Sequence, residues 1–437
     1  MKLGNFLSGW AVGRAYPVFL VIAALLLSTV AHGQGGEMPL TLNTAVARAL
    51  DQHPGLQIFQ LREQGLEGLR HSAALSPAWR LEAEVENFGG SGELQGFSGS
   101  EQTLALSSVI ELGGKRAARV AVIDARTGRV DTERQVEALD LISRVTQSFI
   151  DALAAQQRLG LARDALALAE TTLQVVQRRA AAGAAPEAEV LRAQAARTQA
   201  ELALTNVERE IQTGRVKLAA LLGTTTIDFG PVSGDLFQLP TADSFDQLYQ
   251  RAQNNPVMGA FAAEQRLKEA QLRLAQSGSS SDIEWRLGVR RMDETGDTGV
   301  VAGVSLPLFA GKRSRGDVVS ARAERNQVRL RRQDALLRLH AELYETYANR
   351  QQAIETVHAL QGQVIPALTE ALQLTQRAYE NGRYSYIDWV AAQRELLGAK
   401  QTLIDAAAAA LSYGAVIEQF TAEPLSAVDA LDADGQG

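Results

Sequence analysis

Two stretches of the chain alternate strictly between apolar and charged residues. In 79–88, W-R-L-E-A-E-V-E-N-F, the side chains of Trp79, Leu81, Ala83 and Val85 fall on one face and those of Arg80, Glu82, Glu84 and Glu86 on the other. In 283–291, Ile283, Trp285, Leu287 and Val289 oppose Glu284, Arg286 and Arg290. A period of two predicts strands. Each is followed by a polar, glycine-rich loop and a return strand, at 101–110 and 299–308, where Val300, Ala302, Val304, Leu306 and Leu308 share one face. The period then becomes helical and stays so. Long helices are predicted at 115–182 and 187–222, and again at 312–381 and 386–420. Leu159, Leu166 and Leu173 are spaced by heptads, as are Ala162, Ala169 and Val176, the seam of closely packed helices. Pro366 is expected to bend its helix or restart it.

The chain states this plan twice. The segment 107–116 reads S-S-V-I-E-L-G-G-K-R and 304–313 reads V-S-L-P-L-F-A-G-K-R, so Gly114-Lys115-Arg116 and Gly311-Lys312-Arg313 open equivalent helices. Upstream of each strand pair, a short helix restarts at a proline, Pro54 and then Pro256. Proline is tolerated there because the first helical N–H has no partner. The duplication divides the chain into a first repeat, 35–222, a linker, 223–244, and a second repeat, 245–420, with an acidic, disordered tail at 421–437. The helical hairpins turn at Gly183 and Pro186, and at Gly382.

Four strands with one apolar and one charged face fit either an ordinary sheet over a soluble core or part of a transmembrane barrel. The barrel is favoured because nothing between the paired strands could cover their apolar faces. Four strands cannot close, and open edges are not tolerated in hydrocarbon, so a barrel reading requires an oligomer. Residues 1–34 have a basic end, an apolar run and a small-residue region, the order of a cleavable signal peptide, and no later segment is apolar enough for a helical span. With no cysteine there is no lipid-anchor thiol, disulfide or thiolate metal site. The net charge of -7 offers no basic face for nucleic acid.

Taken with the two junction motifs, the turn Tyr379-Glu380-Asn381-Gly382 and the following 388–393, this arrangement resembles the TolC family of outer-membrane efflux ducts. The wording I-E-L-G-G-K-R is most similar to the branch serving heavy-metal exporters of the cobalt–zinc–cadmium type. The resemblance implies a mainly α fold with transmembrane β. Duplicated helix-strand-strand-long helix-helix units would build a helical periplasmic tunnel and share one outer-membrane β-barrel in a homotrimer. It also implies docking, at the hairpin tips, on a periplasmic adaptor and an inner-membrane pump of the RND type. The family's gate tyrosine matches Tyr379. Its constricting arginine would fall at Tyr384, whereas here the arginine is Arg383, and of its two acidic ring positions the first matches Asp388 and the second is Ala391.

Asp388 therefore has two readings: a carboxylate ring that attracts cations in a narrow pore, or a solvated carboxylate favoured by the first turn of a helix. Lys115, Arg116, Lys312 and Arg313 read as a basic barrel rim near lipid headgroups, since the full phosphate-loop pattern is absent. His32, His53, His71, His340 and His358 are scattered without ligand spacing, and no catalytic set is legible, so neither an enzyme, a cofactor nor a resident metal is expected. The expected function is passive outer-membrane export of divalent heavy-metal cations. The alternatives are a duct for drugs or secreted proteins and, in a different class, a soluble periplasmic coiled-coil adaptor.

Overall fold

The computed structural model describes residues 38–240 and 243–423; the expected signal peptide and nearly all of the expected tail lie outside these. Each half begins with a capped helix pair. Helix α1 (Leu42–Gln52) is capped by the Thr41 side chain, and α2 (Pro54–Ala74) by His53, whose Nδ1 accepts from Gly55 N at 3.1 Å. In the second half α5 (Phe245–Ala252) starts in a capping box of Ser244 and Gln247, and α6 (Pro256–Ser277) is capped by Asn255. Both prolines sit in the first turn, where the missing N–H costs nothing.

Strands β1 (Arg80–Glu86), β2 (Glu101–Ile110), β3 (Ile283–Met292) and β4 (Thr298–Ser305) form one antiparallel sheet in the order β1-β2-β3-β4. Two strands are shorter than their alternation. β1 stops because Asn87 turns left-handed at φ 56. The ladder of β4 on β3 ends with Ser305 opposite Glu284, two residues before Pro307, which has no N–H to give. The joint between the halves is the β2–β3 pairing, with Leu106 opposite Leu287 and Ser107 opposite Arg286.

After β2 comes α3 (Lys115–Ala181), 67 residues without a break, about 100 Å at 1.5 Å per residue. Its hairpin partner is α4 (Glu187–Leu221). The second long run differs. It is divided into α7 (Ala310–Arg313), α8 (Arg315–Ala359), a π-helical turn at Leu360–Val364 and α9 (Ile365–Glu380), before α10 (Tyr386–Thr421) returns. The expectation of one helix over 312–381 is corrected by Pro366. Its ring clashes with the carbonyl four residues back, at Gly362, and the wide π turn makes that room. The helix restarts on the proline.

One core joins α1, α3, α4 and α10 around Leu141, Phe149, Leu218 and Leu411. The segment after α4 packs into it rather than hanging free: Phe229, Val232 and Leu236 are buried, and Leu40 bridges Val232. A second core lies at the far end of the hairpins, around Val176, Tyr379 and Trp389.

Candidate functional site

The sheet separates two environments. Its outer face carries Trp79, Leu81, Leu104, Leu106, Leu287, Val289, Val300 and Val304, all exposed, with Leu81 at 73 % and Val300 at 77 %. Exposure on this scale, on one face only, marks a surface made for another phase. Trp79 and Trp285 meet edge to face at 5.4 Å at one end of the band, and Phe88 stacks on Phe97 at 5.5 Å at the other. Such paired aromatic girdles border the apolar band of an outer-membrane barrel. The opposite face is a lattice of ion pairs. Arg286 reaches Glu82 at 3.3 Å and Glu84 at 2.8 Å, and Arg290 reaches Glu86 at 2.9 Å and Glu101 at 2.6 Å. Arg286 and Glu84 lie on strands separated by β2, so these pairs clamp three strands at once.

The two strand-to-helix junctions are not equivalent. At the first, Gly113 and Gly114 both adopt left-handed backbone, φ 73 and 71, which glycine takes without a Cβ penalty. Lys115 is pinned to Asp282 at 2.7 Å, Leu112 N donates to the same carboxylate at 3.1 Å, and Arg116 reaches Ser76 at 3.1 Å. At the second, the left-handed residue is Phe309, φ 63, while Gly311 lies inside α7. Lys312 stands 5.4 Å from the Phe309 ring centroid, and it and Arg313 are exposed.

At the far end, the two hairpins are clasped together. Gly183 and Gly382 make the left-handed turns, and Pro186 caps α4 in extended backbone. Arg179, from the last turn of α3, donates to Tyr379 O at 2.7 Å, Glu380 O at 2.9 Å and Ala184 O at 3.2 Å. Its guanidinium lies 4.6 Å over the Tyr379 ring. Tyr379 is itself buried, stacked on Trp389 at 5.1 Å, and its hydroxyl donates to Glu189 at 2.9 Å. Burial, reinforced by the Glu189 hydrogen bond, pushes its pKa up to about 12. Deeper in, Gln393 donates to Thr172 at 2.8 Å.

The other expected entrance residues lie on the surface. Arg383, Tyr384 and Asp388 are all exposed. The Asp388 carboxylate accepts from Ser385 Oγ at 2.7 Å and Ser385 N at 3.0 Å, closing a capping box on α10. These bonds, side chain first, hold its carboxyl below the usual aspartate range. Reasoning from sequence missed Arg179 and Glu189. Their partners are about two hundred residues away, and a basic pair at a helix C-terminus is the only local signal. Among the described residues no helix is apolar enough to cross a membrane, and no side-chain group is arranged to hold a metal.

The chain is 27 % identical over 366 residues to the cobalt-zinc-cadmium resistance protein CzcC of Cupriavidus metallidurans, covering 83 % of this chain and 85 % of that one. It is 25 % identical to the nickel-cobalt-cadmium resistance protein NccC of Alcaligenes xylosoxydans xylosoxydans, covering 70 % of each. The fold superposes with a TM-score of 0.70 on the outer membrane protein VceC of Vibrio cholerae, at 19 % identity, over 88 % of this chain and 97 % of that one. The model of the outer membrane efflux protein family matches residues 75–224 and 248–419, which include all four strands, both junctions and both hairpins. With an apolar-out, charged-in sheet carried on a helical stalk, the chain belongs to the outer membrane efflux protein family.

Proposed function

We propose that three copies of the chain enclose one passage, with the sheets closed into a barrel across the outer membrane and the hairpins forming a tunnel in the periplasm. An inner-membrane pump of the RND type and a periplasmic adaptor deliver the cargo, and the channel releases it without energy of its own. The observation that carries this reading is the sheet: apolar outside, charged inside and unpaired at both edges. Divalent heavy-metal cations are the proposed cargo, supported by the resistance functions named for the two relatives above.

Growth of a deletion strain tests the cargo. Sensitivity to zinc, cobalt, cadmium or nickel salts, restored by the intact gene, is expected. Sensitivity confined to detergents, dyes and antibiotics keeps the channel and removes the metal reading.

The mouth supplies a second support. Asp388 is exposed in the first turn of α10, beside Arg383 and Tyr384, and in a threefold ring it would face the axis three times. A carboxylate ring concentrates cations. Asp388→Asn keeps an oxygen for the cap but loses the charge. The reversal potential of the reconstituted pore in a salt gradient should move toward zero; an unchanged value would leave Asp388 only its capping role.

A further inference from the structure

The sheet itself specifies how two copies join. Among the described residues β1 is paired only with β2 and β4 only with β3, so each presents one row of free backbone donors and acceptors. Resting on the oligomeric reading above, the seam sets β4 of one copy against β1 of the next. Facing apolar residues with apolar ones restricts the register to shifts of two residues, since an odd shift turns every side chain to the wrong face.

The geometry of closure narrows it further. Straight across the sheet, Leu81 lies opposite Leu106, Leu106 opposite Leu287, and Leu287 opposite Ala302. The next step lands on β1 of the neighbouring copy. Landing on its Leu81 would leave the strands upright, whereas closed barrels tilt their strands by about 35–45°. With about 3.4 Å per residue and about 4.8 Å between strands, landing on Ala83 gives a tilt of about 20°, on Val85 about 35° and on Asn87 about 47°. The number of copies does not enter, because each adds the same strands and the same shift. A slip in the opposite sense, onto Pro77, would leave only Arg80 and Leu81 of β1 a partner on β4. The path inside the chain climbs in the favoured sense as well. Leu81 stands seven residues past the end of α2 at Ala74, and Leu287 ten past the end of α6 at Ser277.

The side chains agree with Val85. If it faces Ala302, then Ala83 faces Val304, Leu81 faces Leu306 and Trp79 faces Leu308. Leu306 and Leu308 extend the apolar alternation beyond the β3–β4 ladder and are 49 % and 65 % exposed in the single chain, so this register gives them partners. On the inner face Gly303, next to Arg286, falls beside Glu84 of the neighbouring copy. A glycine there leaves Arg286 open to that carboxylate, much as it already reaches its own Glu84 across β2. Landing on Asn87 would instead set Trp79 against Ala310, which is already helical. Landing on Ala83 would spend Leu308 on Pro77.

We propose that β4 and β1 of adjacent copies pair antiparallel with Val85 opposite Ala302 and Ala83 opposite Val304. The chain has no cysteine, so cross-linking reads this register directly. The protein, in isolated outer membranes, would carry Ala83→Cys with Val304→Cys, or Ala83→Cys with Ala302→Cys or Leu306→Cys as register controls. Directly opposed Cβ atoms lie about 4.5–5.5 Å apart and diagonal ones about 7–8 Å, and a disulfide needs the shorter separation. On copper-phenanthroline oxidation the Val304 pair should give at least about five times the covalent oligomer of either control. Val85→Cys with Ala302→Cys tests the same register should the first pair fail to assemble. Stronger linkage in a control pair overturns the register. No linkage in any pair, with an oligomer still present in mild detergent, overturns the β4–β1 seam. A cysteine-free protein that is monomeric in mild detergent removes the oligomeric reading itself.

Discussion

The two halves of the chain share one plan but hold together by opposite means. At the first junction and at the hairpin ends the first half supplies the cations: Lys115 grips Asp282, and Arg179 grips the carbonyls that end α9. In the sheet the second half supplies most of them, through Arg286 and Arg290 on Glu82, Glu84, Glu86 and Glu101, with Arg80 on Glu284 running the other way at 3.6 Å. Among the described residues the matching second-half positions make no such grip. Lys312 lies by its own Phe309, and the position matching Arg179, counted from the turn glycines, is Ala378. Duplication thus produced two similar halves and then complementary ones, with each half completing the other.

The difference is sharpest at Arg179, where the largest effect is expected. Arg179→Ala removes three charge-assisted bonds, each worth about 1.5–3 kcal/mol, and leaves Tyr379 O only its backbone donors, Gly382 N among them at 2.9 Å. The hairpins should part, and single-channel conductance of the reconstituted protein should rise severalfold. A conductance equal to that of the parent would show that the clasp does not constrict the proposed mouth. The junctions give a graded contrast. Lys115→Ala breaks a partly buried ion pair and should lower stability by about 1–2 kcal/mol, whereas Lys312→Ala should cost less than about 0.5 kcal/mol. Equal losses in denaturant melts of the two variants would erase the asymmetry.

A single hydrogen bond is at stake at the Tyr379 hydroxyl. Tyr379→Phe keeps the ring on Trp389 and loses one hydrogen bond, about 1 kcal/mol. Because the folded pKa is raised, this contribution is fully present below the unfolded value near 10 and is lost as pH rises through about 12. The difference between parent and Tyr379→Phe should therefore be flat through neutral pH and vanish only in strong alkali. A difference that varies between pH 6 and 8 would mean that another group controls the contact.

What the sequence declares is what repeats locally. Alternation at Trp79 to Val85 and at Ile283 to Val289 marks strands because each residue's face depends only on its neighbours' spacing. Pro54 and Pro256 mark helix starts by their own chemistry. Asp388 was legible as an exposed acidic group in the first turn of a helix, and its bond to Ser385 is local too. The clasp of Arg179 on Tyr379 was not, because it joins positions 200 apart and leaves no periodic trace. The π turn was hidden for another reason. Pro366 announces a disturbance, but whether the helix kinks, breaks or widens depends on what the surrounding helices permit.

The two open edges of the sheet also govern how the protein is inherited and expressed. On the proposed assembly, a chain displaying Val300 and Val304 beside unpaired backbone is a substrate for aggregation and proteolysis until a second copy covers its edge, so edge defects should show first as missing protein. In the ring of three proposed above, a variant whose β4 edge is spoiled but whose β1 edge is intact would enter assemblies that it cannot complete. Produced in equal amount with the parent, it would leave only about one ring in eight free of the defect. Lesions at that seam are therefore expected to be dominant, whereas a simple loss of the gene is recessive.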